Sequence, residues 1–284
     1  MHQEIAYAKI NLSLEVLGRR PDGYHEVLTV MQLISLHDTL IFAPAETLSL
    51  ESNHPTLSVG EDNLVWKAAR LLQETTGVYK GARISLQKGI PITAGLGGGS
   101  SDAAAALRGL ARLWELELSD GEMLYMASLL SSDVSFFFRG PTALGEGRGD
   151  ALTTISSMPA AWVVLVCPQY HMPDKTRRLY ASLKVEDWTD GKISRRLVTD
   201  ISKGKFPSPL LLHNAFERPA LEVFGGLEEI VERITALSAR PLHLSGSGPT
   251  LYTLYPEAQE LPARKLYHAL QAEGLPAYLA TTVT

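Results

Sequence analysis

The chain has 284 residues, 45% of them hydrophobic, with a formal net charge of −5. That length favours two domains, each with a sizeable core, and the acidic balance argues against general nucleic-acid or membrane-surface binding, so any phosphate recognition must be local. Cys167 is the single cysteine, which excludes an intrachain disulfide and suits a reducing cytoplasm; no signal or transit peptide and no apolar run of about eighteen residues is visible, so neither export nor a membrane span is expected.

Residues 4–17 alternate between a polar set (Tyr7, Lys9, Asn11, Ser13, Glu15) and an apolar set (Ala6, Ala8, Ile10, Leu12, Leu14, Val16), the pattern of a strand with one buried face. Lys9 and Asn11 fall on the same face, and the pattern by itself reads as a solvated sheet face. Pro21-Asp22-Gly23 is a turn, proline fixing φ and glycine taking the positive-φ position. Tyr24 and His25 follow it. Two apolar strands are expected near 28–36 and 39–43. Asn63 or Asp62 caps a helix over 64–76, with Leu64, Ala68, Leu71 and Leu72 inward and Gly77 as its stop. A strand over 82–87 then delivers Lys88.

The most informative stretch is Ile90-Pro91-Ile92-Thr93-Ala94-Gly95-Leu96-Gly97-Gly98-Gly99-Ser100-Ser101-Asp102, which runs into Ala103-Ala104-Ala105-Ala106-Leu107. Glycines permit positive φ and let backbone amides approach a ligand closely. The first amides of the following helix lack intrahelical acceptors, and the dipole adds about half a positive charge there. Loop and helix end therefore form an anion site suited to phosphate. The Gly-Lys-Ser/Thr ending of a Walker A loop is absent, and the third glycine of the dinucleotide fingerprint is out of step. A glycine–serine linker would not be clamped so closely between a strand and a strong helix. That helix carries Ala103, Leu107, Leu110 and Trp114 inward, with Arg108 and Arg112 on the other face.

A second helix is expected near 120–130, followed by Ser131-Ser132-Asp133-Val134-Ser135-Phe136-Phe137-Phe138. Read locally, Asp133 is either an acid at the edge of an aromatic core or the cap of a turn. The polar stretch 153–159 marks a domain boundary, which gives domains over 1–155 and 156–284. The second half carries strands near 162–167, 241–245, 250–255 and 276–282 and helices near 174–184 and 257–273, with further helical material to about 237. Such interleaving suggests an α+β sandwich, sheet on one side and helices on the other. Tyr180, on the helix that begins Asp174-Lys175-Thr176, is a second exposed aromatic candidate. Ser245-Gly246-Ser247-Gly248-Pro249, between two strands, reads locally as a tight turn.

Pro91-x-x-Ala94-Gly95-Leu96-Gly97-Gly98-Gly99-Ser100-Ser101-Asp102-Ala103-Ala104 resembles the nucleotide loop of the GHMP kinases, the family of galactokinase, homoserine kinase and mevalonate kinase. Ala8-Lys9-Ile10-Asn11-Leu12, Asp22-Gly23-Tyr24-His25 and Ser35 to Leu40 resemble the branch that phosphorylates a cytidine-diphosphate-linked methylerythritol in the non-mevalonate route to isoprenoids. Asp133-Val134 and the phenylalanines after it, Ala143 to Asp150 (similar to the family's glycine-rich hairpin), His213-Asn214, and Ser245 to Pro249 extend the likeness. It departs at Ser131, Ser132 and Ser135, where the family has Gly, Ala and Pro.

The resemblance implies a two-domain α+β GHMP-kinase-like fold, an N-terminal mixed α/β domain and a C-terminal sandwich, with the active site in the cleft between them. It implies transfer of the γ-phosphoryl of ATP, with Mg²⁺, to the 2-hydroxyl of the cytidylyl alcohol. Lys9 and Asp133 are then the catalytic pair. Lys88, Pro91, Ala94, Gly95, Leu96, Gly97, Gly98, Gly99, Ser100, Ser101, Gly246 and Ser247 would hold the nucleotide. Asn11, Tyr24, His25, Thr176 and Tyr180 would hold the alcohol, with Tyr24 and Tyr180 on opposite faces of cytosine and His25 on its edge. Asp102 in the first helical turn would repel phosphate unless turned away or serving a metal, and no metal ligand follows from the sequence. Competing expectations are a kinase for homoserine or mevalonate, which offer no base to stack, and a non-catalytic nucleotide-binding relative, which would have no need of Lys9 and Asp133. The oligomeric state, monomer or weak dimer, stays open.

Overall fold

A computed structural model of the chain describes residues 1–170 and 172–284. They form two compact units, one of residues 1–8, 36–92 and 97–140, the other of 9–35, 93–96 and 141–284. These units differ from a single cut at 155–156, because β1 (His2–Arg19) and β2 (His25–Ala45) are long enough to contribute residues to each. β2 runs unbroken where the sequence suggests two strands. The polar residue at the supposed break, Asp38, is fully buried, and its carboxylate accepts the amides of Gly89 and Ile90 at 2.7 and 2.8 Å.

In the first unit β4 (Gly81–Gln87) lies between β3 (Leu48–Ser52), to which it is parallel, and residues 39–45 of β2, to which it is antiparallel. Ala82, Ile84 and Leu86 are buried while Arg83 and Gln87 are exposed, so a slip of one residue would turn the apolar set to solvent. The core on that face is completed by α1 (Leu64–Thr76), α2 (Gly98–Trp114) and α3 (Asp120–Leu130). Asn63 caps α1 by accepting the Val65 amide at 2.8 Å, and Gly77 ends it in the left-handed region. Its buried set is Val65, Ala68, Ala69, Leu72 and Gln73; Leu64 and Leu71 are only partly buried, against expectation. Gly109, in the middle of α2, is required by packing: a Cβ there would lie 2.3 Å from the Phe42 ring.

In the second unit, residues 29–32 of β2 pair with β5 (Thr142–Glu146), which turns through Gly147 and Gly149 into β6 (Ala151–Thr154), the hairpin that the resemblance implies. A separate antiparallel sheet has the order β10 (Ala277–Thr281), β7 (Ala161–Val166), β9 (Leu251–Pro256), β8 (His243–Leu244). Its apolar side chains share a core with α4 (Lys175–Ala181), α6 (Glu217–Val223), α7 (Leu227–Leu237) and α8 (Glu260–Ala272), while α5 (Lys192–Ser202) precedes α6 in the chain. β8 has two residues rather than the five expected: Pro241 has no amide to donate to a ladder, and at the other end Ser245 already enters the turn, its carbonyl accepting the Gly248 amide at 2.9 Å. The α+β organisation with sheets and covering helices agrees with the sequence reading. Among the described residues no helix is long and apolar enough to cross a membrane.

Candidate active site

The glycine-rich stretch divides between the units, residues 93–96 belonging to the second and Gly97 onward to the first. Gly97, at φ 70°, caps α2 without a side chain of its own, and the first amide to find a helical acceptor is that of Ser101, bonded to the Gly97 carbonyl at 2.9 Å. The amides of Gly98, Gly99 and Ser100 therefore open the helix as donors. Helix thus begins earlier than the alanine run, inside the triple glycine. Ser101 is buried, and Ser100 Oγ lies 3.0 Å from Ser131 Oγ.

Beside this helix start is a buried charge cluster. Lys88 Nζ is bonded to Asp38 Oδ2 and, at 2.7 Å, to Asp102 Oδ2, and its side chain is 5% exposed. Burial opposes the charged form of Lys88, but Asp102 and Asp38 outweigh it and hold the ammonium above its ordinary range. Burial pushes Asp102 up to about 8, opposed by Lys88 and reinforced by Asp38. Asp102 is thus turned to Lys88, and burial disfavours its charge, which lessens the repulsion expected between it and phosphate. Lys88 is committed to two carboxylates rather than standing open at the loop mouth.

A Cβ on Gly98 would lie 3.1 Å from Ile90 Cγ2 and 3.4 Å from Lys88 Nζ. Gly98→Val would force a branched side chain into the space beside the helix amides. The expected result is loss of ATP binding by calorimetry with a melting transition retained; unchanged affinity would make the loop purely structural.

Asp133 stands in the first unit just ahead of a 3₁₀ turn, Val134–Phe138. It makes no side-chain cap to that turn, whose Phe136 amide bonds instead to the Asp133 carbonyl at 3.2 Å. Reading Asp133 as a cap is thereby set aside.

In the second unit the polar face of β1 is buried rather than solvated: Lys9 and Asn11 are each 4% exposed, and Ser13 and Glu15 are closed off. Lys9 Nζ donates to Asn11 Oδ1 at 2.6 Å, Asn11 Nδ2 donates to Thr29 Oγ1 at 2.7 Å, and Thr29 Oγ1 donates to the Ser13 carbonyl at 2.7 Å. Asn11 is thus an orienter of Lys9. The Lys9 amide donates to the Leu96 carbonyl at 2.9 Å, which docks residues 93–96 onto β1; Ala94 and Leu96 are buried there, whereas Pro91 is half-buried in the preceding loop.

The second glycine loop meets the same place. At Gly246 (φ 56°) a Cβ would lie 3.1 Å from the Gly95 carbonyl oxygen, 3.2 Å from Asn11 Oδ1 and 3.3 Å from Lys9 Nζ. Asn214 Nδ2 braces this loop through the carbonyls of Leu244 and Gly246, at 2.8 and 2.9 Å. Thr176 Oγ1 reaches Ser247 Oγ at 3.1 Å.

The aromatic residues form two groups. Tyr24 is 58% exposed, with the Arg148 guanidinium 5.1 Å from its ring centroid and Asp150 holding Arg148 at 2.8 Å. His25 stacks on Tyr180, centroids 4.8 Å apart at 21°, and Tyr180 sets its edge against Phe216. Tyr180 is therefore half-buried rather than exposed. Burial, and then Arg19, push the His25 imidazole below its ordinary value, so it is neutral at neutral pH with one donor and one acceptor nitrogen.

Sequence reasoning missed four of these groups. Thr29 sits in an apolar strand with no local signal, and Asp38 looks like a strand break. Arg148 was legible only as part of a glycine hairpin, and Lys175 only as a neighbour of Thr176.

In the first unit the uncapped amides at Gly98–Ser100 fit a phosphate group, and in the second the side-chain-free contact of Gly95 with Gly246 offers bare backbone suited to one. Magnesium has no comparable cradle. Among the described residues no three of His, Cys, Asp or Glu gather, and Asp102 has one oxygen on Lys88 and the other buried.

The family model of the GHMP kinases N terminal domain matches residues 63–141. A 4-diphosphocytidyl-2-C-methyl-D-erythritol kinase from Dehalococcoides mccartyi is 41% identical over 280 residues, covering 98% of this chain and 97% of that protein. A crystal structure of a 4-(cytidine 5'-diphospho)-2C-methyl-D-erythritol kinase is 33% identical, with a TM-score of 0.83 and 100% of both chains covered. A homoserine kinase from Cytophaga hutchinsonii matches with a TM-score of 0.70 over 99% of this chain and 94% of that one, at 15% identity, a likeness of fold alone.

Proposed function

The chain belongs to the 4-diphosphocytidyl-2-C-methyl-D-erythritol kinases of the GHMP kinase family, and from that membership we propose that it transfers the γ-phosphoryl group of ATP to the 2-hydroxyl of 4-diphosphocytidyl-2-C-methyl-D-erythritol. The product would feed isoprenoid precursor synthesis by the non-mevalonate route, in the cytoplasm. Phosphoryl transfer asks little covalent work of a protein, so positioning and charge stabilisation dominate. The amides of Gly98, Gly99 and Ser100 receive phosphate oxygens at the start of α2. Lys88 reinforces that end of the helix through the cluster it shares with Asp38 and Asp102. Lys9, oriented by Asn11, stabilises charge on the group in transfer. Asp133 accepts or orients the proton of the attacking hydroxyl. Mg²⁺ would accompany the triphosphate as its counter-ion, with no ligand assigned from this chain.

The observation that favours a cytidylyl alcohol over a smaller one is the Tyr24, His25 and Tyr180 group. An exposed ring backed by a guanidinium offers a face for a base, and a neutral imidazole can both donate to and accept from the polar edge of cytosine. Homoserine and mevalonate carry no base for these groups to receive.

Tyr180→Ala tests the assignment. Loss of a stacked ring worth ~1–3 kcal/mol should raise the KM for the cytidylyl alcohol about tenfold or more, with the KM for ATP nearly unchanged. Equal weakening of both substrates would make Tyr180 a packing residue. Methylerythritol phosphate, which lacks the cytidylyl group, should be a poor substrate, because remote binding energy positions the alcohol.

A further inference from the structure

We propose that Lys175 is a positioning residue for phosphoryl transfer, clipping the first glycine segment, Thr93–Leu96, to the second, Ser245–Gly248. This rests on the kinase reading above, since it assigns both segments to the triphosphate. Lys175 opens α4, and its Nζ donates to the backbone carbonyls of Thr93 and Gly248, one from each segment. An ammonium has three donors, and two are used here to join strands of chain that are far apart in sequence.

The seam it closes is made almost wholly of backbone. A Cβ on Gly95 would lie 2.5 Å from the Ser245 carbonyl oxygen and 2.8 Å from that of Gly248. The Thr250 amide donates to the Ala94 carbonyl at 3.3 Å, and Ser245 Oγ donates to the Gly95 carbonyl at 3.1 Å. Thr93 (φ 54°) takes left-handed backbone, which in a non-glycine residue persists only where the surroundings hold it, while Gly246 (φ 56°) and Gly248 (φ 60°) take it freely. Lys175 is the side chain that ties Thr93 and Gly248 directly.

The clip is held at its own root. Thr176, the next residue, bonds to Ser247, and at the far end of α4 Tyr180 is fixed between His25 and Phe216. The charge has a second consequence. Burial, and then the like charge of Lys9, bring Lys175 down to about 8, while Asp174 and Arg177 on its own element pair with each other at 2.7 Å. Two cations beside the glycine loops favour an anion there. Above that pH the uncharged amine makes weaker bonds to the same carbonyls.

Hydrogen exchange and kinetics on the wild type, Lys175→Met and Lys175→Arg test the clip. In the ligand-free Lys175→Met protein the Thr250 amide should exchange about tenfold faster or more relative to the Val164 amide of β7, the scale of one lost charged hydrogen bond. The KM for ATP should rise by a similar factor, with the KM for the cytidylyl alcohol within about twofold. Lys175→Arg, which stays charged, should restore protection and keep its kcat/KM for ATP above pH 8, where the wild type declines. Should Lys175→Met fail to fold, the pH profiles of the other two proteins decide. Wild-type exchange at Thr250 in Lys175→Met, or the same alkaline decline in wild type and Lys175→Arg, would overturn the clip. Absence of turnover in the wild type would overturn the kinase reading instead and leave the exchange result to judge the clip.

Discussion

Asp133→Asn should lower kcat by about 10²–10⁴-fold, the usual worth of a positioned acid–base group, and should leave ATP affinity close to that of the wild type. The substitution keeps side-chain size and removes the capacity to accept a proton. It also leaves the local backbone its support, since the 3₁₀ turn Val134–Phe138 is tied to the Asp133 carbonyl and not to its carboxylate. The loss should therefore fall on kcat rather than on nucleotide binding, the signature of an interaction made in the transition state. Steady-state kinetics with calorimetric titration of ATP check it. A folded Asp133→Asn protein with nearly wild-type kcat would remove Asp133 from the mechanism.

Lys88→Met should cost about 3–5 kcal/mol of folding stability, because it strips the counter-charge from buried carboxylates. Asp38 is fully buried and Asp102 nearly so, and the lysine between them is the cation both contact. Asp102→Asn should cost far less. Burial raises the Asp102 carboxyl and so disfavours its charge, and asparagine of the same shape still offers an oxygen to Lys88. Linkage gives the contrast a sign. Asp102 has a raised folded-state value, so its contribution is fullest below the unfolded value near 4 and is lost as pH rises towards about 8. Asp102→Asn should flatten that decline. Urea denaturation of the three proteins between pH 5 and 8 measures both effects. A mild Lys88→Met beside a severe Asp102→Asn would contradict this account of the cluster.

Much of the fold was legible because its signals are local. Asn63 and Gly77 bound α1 where their chemistry places them, and β4 alternates strictly. The domain division was not legible, since composition marks the stretch 153–159 while the compact units depend on how far β1 and β2 run. Burial of the Lys9 face was hidden for a related reason. Alternation tells which residues share a face but not what covers it, and here Thr29 and Gly246 meet it. Lys88 showed the same limit, because its partners stand 50 and 14 residues away in sequence. Tyr180 looked exposed on a short helix, whereas His25 and Phe216 flank its ring.

The most direct measurement of the central claim is turnover with ATP against three alcohols offered side by side: the cytidylyl methylerythritol, homoserine and mevalonate. The Tyr24, His25 and Tyr180 group predicts that the cytidylyl alcohol alone is phosphorylated, at its 2-hydroxyl. Turnover of homoserine or mevalonate at a comparable kcat/KM would contradict the account, and would show that the aromatic group does not select the substrate.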